Sequence, residues 1–194
     1  TQLPVDNRFW QQEAYISTTN AYEILPGWSA SLAYDFKWNK LNADVYRFVF
    51  PQRKSHFASF ATSLERWIIG VQASVLGIFV NDRLRAGSQK NISRFVPALF
   101  LNLRPFSGKT VSFRAFAKQS FRMPTFNDLY YTDLGNSNLK PESATQYDLG
   151  MVFHKQYNQG FVRNLYFQAD GYYNTIHDKI IAYPKGQQFR WTML

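Results

Sequence analysis

The chain has no cysteine among its 194 residues. That excludes a disulfide framework, a thiol nucleophile and any Cys-ligated zinc or iron–sulfur site. Acidic residues are scarce: 13 Asp and Glu stand against 22 Lys and Arg, a formal net charge of +9. A basic excess suits nucleic acid, an anionic membrane surface or an acidic ligand. The charges gather in loops and on one side of alternating segments, without a long run of one sign, so we expect no nucleic-acid partner. Long hydrophobic runs are missing too. The longest, Ile68 to Val80, is broken by Gln72 and Ser74 and falls short of the roughly 18 residues a helical span needs. Mean hydropathy is −0.35. No leader pattern is visible after Thr1, and the chain reads as a piece of a longer protein.

Aromatic residues are abundant instead. Eighteen Phe, 12 Tyr and 5 Trp favour strands over helices. The dominant pattern is alternation with period two. Trp28, Ala30, Leu32, Tyr34, Phe36 and Trp38 alternate with Ser29, Ser31, Ala33, Asp35, Lys37 and Asn39. Such a step gives one strand face apolar and the other polar. The pattern recurs around Val111–Arg122, Gln146–His154 and Leu165–Asn174, and more weakly through 11–24, 57–63, 69–81 and 94–104. We expect about eight strands of roughly ten residues, above the usual mode.

The connections alternate as well. Short turns are expected at 25–27, near Glu65-Arg66, at 105–108 and at 157–160, and long polar loops at 37–56, 82–93 and 123–143. No helix is expected. Long strands, aromatics near their ends and unequal connections in alternation describe an antiparallel up-and-down meander of the outer-membrane β-barrel type, in which closure pairs every backbone group. A soluble all-β sandwich or barrel also alternates, but with shorter strands.

Motifs for chemistry are thin. His56, His154 and His177 lie far apart without a second ligand at metal spacing, so no metal or cofactor site is assigned. No nucleophile elbow, phosphate loop or dinucleotide fingerprint is present, and no catalytic residue is assigned. One charge pattern is informative. Arg114, Lys118 and Arg122 fall on the polar face of one strand, with Asp148 and Asp170 on the polar faces of the next two. Arg114, Lys118, Asp148 and Asp170 would form a charge network inside a barrel, since Lys or Arg on the lipid face costs about 2–4 kcal/mol at the midplane, or else the solvated face of a soluble sheet. Arg83, Arg85 and Lys90 stand in the 82–93 loop. They would steer an anionic ligand or, equally, pair with anionic outer-leaflet head groups. Tyr130 and Tyr131 would stack on a ligand ring or pack the loop for its own stability.

The run Phe121-Arg122-Met123-Pro124-Thr125-Phe126-Asn127-Asp128-Leu129-Tyr130-Tyr131, then Gly135-Asn136, Leu139, Pro141-Glu142, Tyr147 and Gly150, resembles TonB-dependent outer-membrane receptors. Their barrels carry Arg-x-Pro, Asp-Leu-Tyr, Gly-Asn-x-x-Leu-x-Pro-Glu and Tyr-x-x-Gly in that order. Residues 170–182 and Trp191 resemble the strand and loop that follow. The resemblance spans most of 28–194. It implies part of a 22-stranded transmembrane barrel in the outer membrane of a Gram-negative bacterium. The parent would add a plug domain contacting the TonB complex and take up a scarce nutrient: a ferric siderophore, haem, a corrinoid or a glycan. By that analogy the long loops are extracellular. Arg122, Pro124, Asn127, Asp128, Gly135, Asn136, Pro141 and Glu142 match motif positions shared across ligands, which suits loop architecture. Gly135 and Asn136 would supply positive φ in a turn. An isolated barrel piece has open edges and a lipid-facing band, so self-association is expected. A soluble carbohydrate-binding module with Trp38, Tyr130 and Tyr131 as stacking platforms, and an adhesin-like barrel without transport, remain the alternatives.

Overall fold

A computed structural model describes residues 7–85, 87, 89–106, 110–130, 135–185 and 190–193. Eight strands follow one another: β1 (Phe9–Leu25), β2 (Trp28–Ala43), β3 (Gln52–Arg66), β4 (Ile69–Arg83), β5 (Gln89–Leu103), β6 (Val111–Arg122), β7 (Glu142–Gln156) and β8 (Asn164–His177). They form one sheet in sequence order, an antiparallel meander with β1 and β8 at its edges. The expected fold class is thus the one observed. A short hairpin of β9 (Ala182–Lys185) and β10 (Arg190–Met193) forms a separate two-stranded sheet.

The strands are longer than the sequence suggested, at 12–17 residues. Crossing a bilayer takes about 9–11 tilted residues. The excess runs through segments expected as loops. Lys37–Ala43 continue β2, Gln52–His56 open β3, Arg83 ends β4 and Lys90 is the second residue of β5. The long connections shrink to 44–51, 84–88 and 123–141. Polar composition alone does not end a strand, because pairing with the neighbouring strand still satisfies the backbone. The turns hold more closely. Pro26-Gly27 joins β1 to β2 with Gly27 at φ 81°, and the next turn lies at Trp67-Ile68, two residues past its expected place.

One short helix, absent from the sequence reading, interrupts the β6–β7 connection: α1 (Phe126–Tyr130). Among the described residues no helix is long and apolar enough to cross a membrane.

Two compact units divide the chain. The first comprises the chain up to Asn20 with Leu32–Ser59 and Leu76–Phe95. It buries Leu41, Ala43, Pro51, Ile78 and Val80. Cross-strand pairs tie it together: Tyr15 Oη donates to Asp35 Oδ1 at 3.0 Å, and Glu13 meets Lys37 Nζ at 2.7 Å and Asn39 Nδ2 at 2.6 Å. The second comprises Ala21–Ser31, Phe60–Val75 and the chain from Val96 on. Its buried cluster is Leu129, Leu139 and Ile180, with Tyr130 and Met193 packed against it.

Candidate functional site: a polar sheet face and a capped loop

Register decides which side chains of β6, β7 and β8 meet. Arg114, Phe116 and Lys118 pair with Gly150, Asp148 and Gln146, and these pair in turn with Asp170, Tyr172 and Asn174. All nine therefore share one face, since side chains opposite each other in an antiparallel pair lie on the same side. The four residues expected as a charge network, Arg114, Lys118, Asp148 and Asp170, are brought to that face. Ala115, Leu149 and Gly171 line up on the other, where Tyr147, Leu149, Leu165, Phe167 and Tyr173 are exposed. Exposure alone does not separate the faces, because Tyr166 and Tyr172 of the polar face are exposed too. Alternation and partner chemistry do.

The polar face is organised around one long reach. Arg114 crosses the whole of β7 to Asp170, its Nε donating to Oδ1 at 3.1 Å and its Nη2 donating to the same oxygen. Gly150 lies beneath. A Cβ there would collide with Asp170 Oδ1 and stand 2.7 Å from Arg114 Nε. Gln168 Nε2 donates to Asp170 Oδ2 at 2.7 Å, and Tyr166 Oη donates to Gln168 Oε1. Lys118 instead lies 5.3 Å from the Phe116 ring centroid. Asp148 makes no ion pair among the described residues. A shallow cleft of about 240 Å³ opens beside this network, lined by Glu65, Gln72, Phe100, Asn102, Arg114 and Phe116. It offers fixed donors and acceptors to a polar partner.

The β6–β7 connection is built from the motif residues. Thr125 caps α1: its Oγ1 accepts from Asp128 N at 3.2 Å, while Asp128 Oδ2 accepts from Thr125 N at 2.8 Å. This reciprocal pair is a capping box with Asp in the acidic position. Arg122 Nη2 adds a contact to Asp128 Oδ2 at 3.4 Å, so Arg122 serves the loop and not the Arg114 network. Pro124, Phe126, Asp128 and Leu129 are buried, and Asn127 is exposed. Asn136 N donates to Asp128 O at 2.8 Å, and its side chain bonds both Met193 O and Asn138 N. Glu142 Oε2 accepts from Ile180 N at 3.0 Å. Pro141 is half-buried where β7 begins. Among the described residues, the non-glycine ones with positive φ are Arg47, Phe50, Trp67 and Asp178; neither Gly135 nor Asn136 has the positive φ expected of it, and the loop uses the Asn136 side chain instead. Gly135 is required by contact: a Cβ there would stand 2.8 Å from the backbone of Leu129 and Tyr130.

Of the residues expected to meet ligand, Tyr130 ends α1 half-buried against the Leu129 cluster. Tyr131 lies outside the described residues, as does part of the expected 105–108 turn. Lys90 is exposed near the start of β5. Arg85 follows β4, with its guanidinium 5.1 Å from the Phe50 ring centroid. No sequence motif marks the pair between Arg53 and Asp82, whose Nε–Oδ1 and Nη2–Oδ2 distances are 2.6 and 2.7 Å. Both side chains are nearly buried, at 10% and 14% exposed. Twenty-nine residues separate them, and only strand register could announce the meeting.

A sequence model described as TonB dependent receptor-like, beta-barrel matches residues 5–192. The vitamin B12 transporter BtuB of Vibrio vulnificus is 35% identical over 82 residues, 42% of this chain and 12% of that protein. Two solved structures share the fold at low identity. The FrpB iron transporter of Neisseria meningitidis superposes with a TM-score of 0.63 at 11% identity, covering 97% of this chain and 31% of that one. The Serratia marcescens hemophore receptor HasR, in complex with its hemophore HasA and heme, gives 0.63 at 12% identity, covering 96% and 37%. The chain thus spans about a third of these solved relatives, and the matched stretch is about an eighth of the curated one.

Proposed function

This chain belongs to the TonB-dependent receptor-like β-barrel family, and from that premise we propose that it is a run of barrel wall from a receptor for TonB-energised nutrient uptake. The family is one of Gram-negative outer-membrane transport receptors that bind nutrients and interact with TonB. In our reading the chain contributes about eight consecutive strands of a 22-stranded barrel in the outer membrane. The remaining strands and a plug domain that meets the TonB complex come from the parent protein. The nutrient is a scarce compound too large for a porin: a ferric siderophore, haem, a corrinoid or a glycan.

The observation that carries this reading is the two-sided register of β6, β7 and β8. It sets Arg114, Asp170 and Gln168 on one face and Leu149, Phe167 and Tyr173 on the other. A wall between lipid and a polar lumen needs that division. We assign Arg114, Lys118, Asp148 and Asp170 to the lumen, and Arg122, Pro124, Asn127, Asp128, Gly135, Asn136, Pro141 and Glu142 to loop architecture. We assign Lys90 and Tyr130 to the ligand side of the extracellular loops.

The test is uptake by cells that carry or lack the parent gene, offered labelled cyanocobalamin, haem and ferric siderophores in turn. Accumulation that needs both the gene and the proton-motive force supports the reading. Recovery of the full-length protein in the soluble fraction, with glycan binding and no uptake, overturns it.

A further inference from the structure

The first unit holds a second, larger cleft of about 490 Å³, lined by Lys40, Asn42, Phe50, Gln52, Arg83 and Arg85 with Leu84. Its face follows from neighbours. Gln52 and Arg83 adjoin Arg53 and Asp82, whose side chains pair with each other. Successive strand residues point to opposite faces, so the cleft opens on the side away from that ion pair. Lys40 shares its β2 face with Leu32, Tyr34, Phe36 and Trp38, and Arg83 shares its β4 face with Phe79. Leu32, Tyr34 and Phe79 are exposed, and Tyr34 and Phe36 both contact His56 of β3. A basic cleft therefore sits at the strand ends, directly above an aromatic and aliphatic belt on the same outward face.

The nearest carboxylate in sequence, Asp82, is committed to Arg53 on the other face. Among the described residues no carboxylate pairs with Lys40, Arg83 or Arg85. Arg85 is held over the Phe50 ring, which fixes one cation at the rim. Three cations beside hydrogen-bonding amides suit a phosphate, and an apolar belt next to them suits acyl chains. A soluble anionic nutrient would gain nothing from that belt.

We propose that this cleft binds the phosphate-bearing head group of an outer-leaflet lipid, with Lys40, Arg83 and Arg85 on the phosphate and the belt on the acyl chains. The proposal rests on the outer-membrane reading above. Of the two readings open for Arg83 and Arg85 it takes the lipid one, and it adds Lys40, which stands in β2 where a loop was expected.

The full-length protein, purified in detergent, is loaded with diphosphorylated lipid A or with phosphatidylcholine and examined by native mass spectrometry. The triple variant Lys40→Gln, Arg83→Gln, Arg85→Gln should lose lipid A affinity on the order of a hundredfold, at roughly fivefold per cation removed near the surface. Phosphatidylcholine retention should not change, and the variant with Lys and Arg exchanged at the three positions should keep binding. If the triple variant does not fold, Arg85→Gln alone should still lower affinity about fivefold, one cation's share. Undiminished lipid A retention by the substituted proteins overturns the proposal, as does displacement of the lipid by millimolar inorganic phosphate. Either failure leaves the barrel reading standing if the protein still fractionates with outer membranes; recovery as a soluble protein overturns both.

Discussion

Arg114 and Asp170 meet across an intervening strand, and they can do so because the residue between them, Gly150, has no side chain. The motif glycine is a passage for a guanidinium. Its neighbours in the gap are the mobile ends of two side chains, whereas Gly135 faces backbone. Gly135→Ala should therefore destabilise the full-length barrel by about 1–3 kcal/mol, the usual range for overpacking. Gly150→Ala should have the smaller effect and lose it when Arg114→Gln is already present. Urea unfolding in detergent micelles of the wild type, Gly135→Ala, and the single and double variants at 114 and 150 measures this; additive effects at 114 and 150 would count against the crossing.

Arg53 and Asp82 form the most buried ion pair among the described residues, at 10% and 14% exposure. Removing one partner from a buried pair leaves an uncompensated charge, at a cost of about 3–5 kcal/mol. Arg53→Met should approach that loss, and Arg53→Met with Asp82→Leu should recover most of it. A double-mutant cycle on unfolding midpoints gives the coupling.

The capping box predicts a local effect. Asp128→Asn keeps the shape but weakens both the Thr125 bond and the Arg122 contact. We expect a loss of about 1 kcal/mol, typical of a helix cap, with faster proteolysis in the 123–141 connection of intact cells. Unchanged cleavage kinetics would show that the cap does not govern the loop.

Charge placed on opposite faces of one strand separates lipid from lumen. Leu149→Lys should destabilise the bilayer-inserted protein by about 2–4 kcal/mol if it lies near the midplane. Gln146→Lys, three residues earlier on the polar face, should be close to neutral. Equal effects at the two positions would contradict the face assignment.

This chain has no cysteine, so in a full-length protein freed of any cysteine elsewhere, single cysteines placed here report topology. Ser137→Cys in the β6–β7 connection should react with an impermeant maleimide on intact cells. Trp67→Cys, in a turn where the side chain is 95% exposed, should react only after the outer membrane is opened. The reverse pattern would invert the barrel.

Much of this molecule was legible as a line of residues. Period-two alternation marked all eight long strands, and the apolar and polar sets around Val111–Arg122 and Gln146–His154 are the faces the sheet adopts. Alternation is local, so it needs no partner to be read. Strand ends were misjudged for the same reason. Lys37–Ala43 and Gln52–His56 are polar enough to pass for loop, yet adjacent strands pair their backbones and keep them extended. The helix at Phe126–Tyr130 was hidden by its brevity, although Thr125 and Asp128 stood at capping-box spacing.

The sequence by itself determined the strand pattern, the two faces and the motif loop, because side-chain direction follows from chain position within a strand. Only the tertiary structure decided who meets whom. A slip of one residue would turn each set to the other face, and the register that prevents it brings Arg114 to Asp170 across 56 residues and Arg53 to Asp82 across 29. The same register places Lys40 beside Arg83 in an outward cleft. Those meetings depend on backbone pairing between distant segments, a property of the sheet as a whole and of no single stretch of the chain.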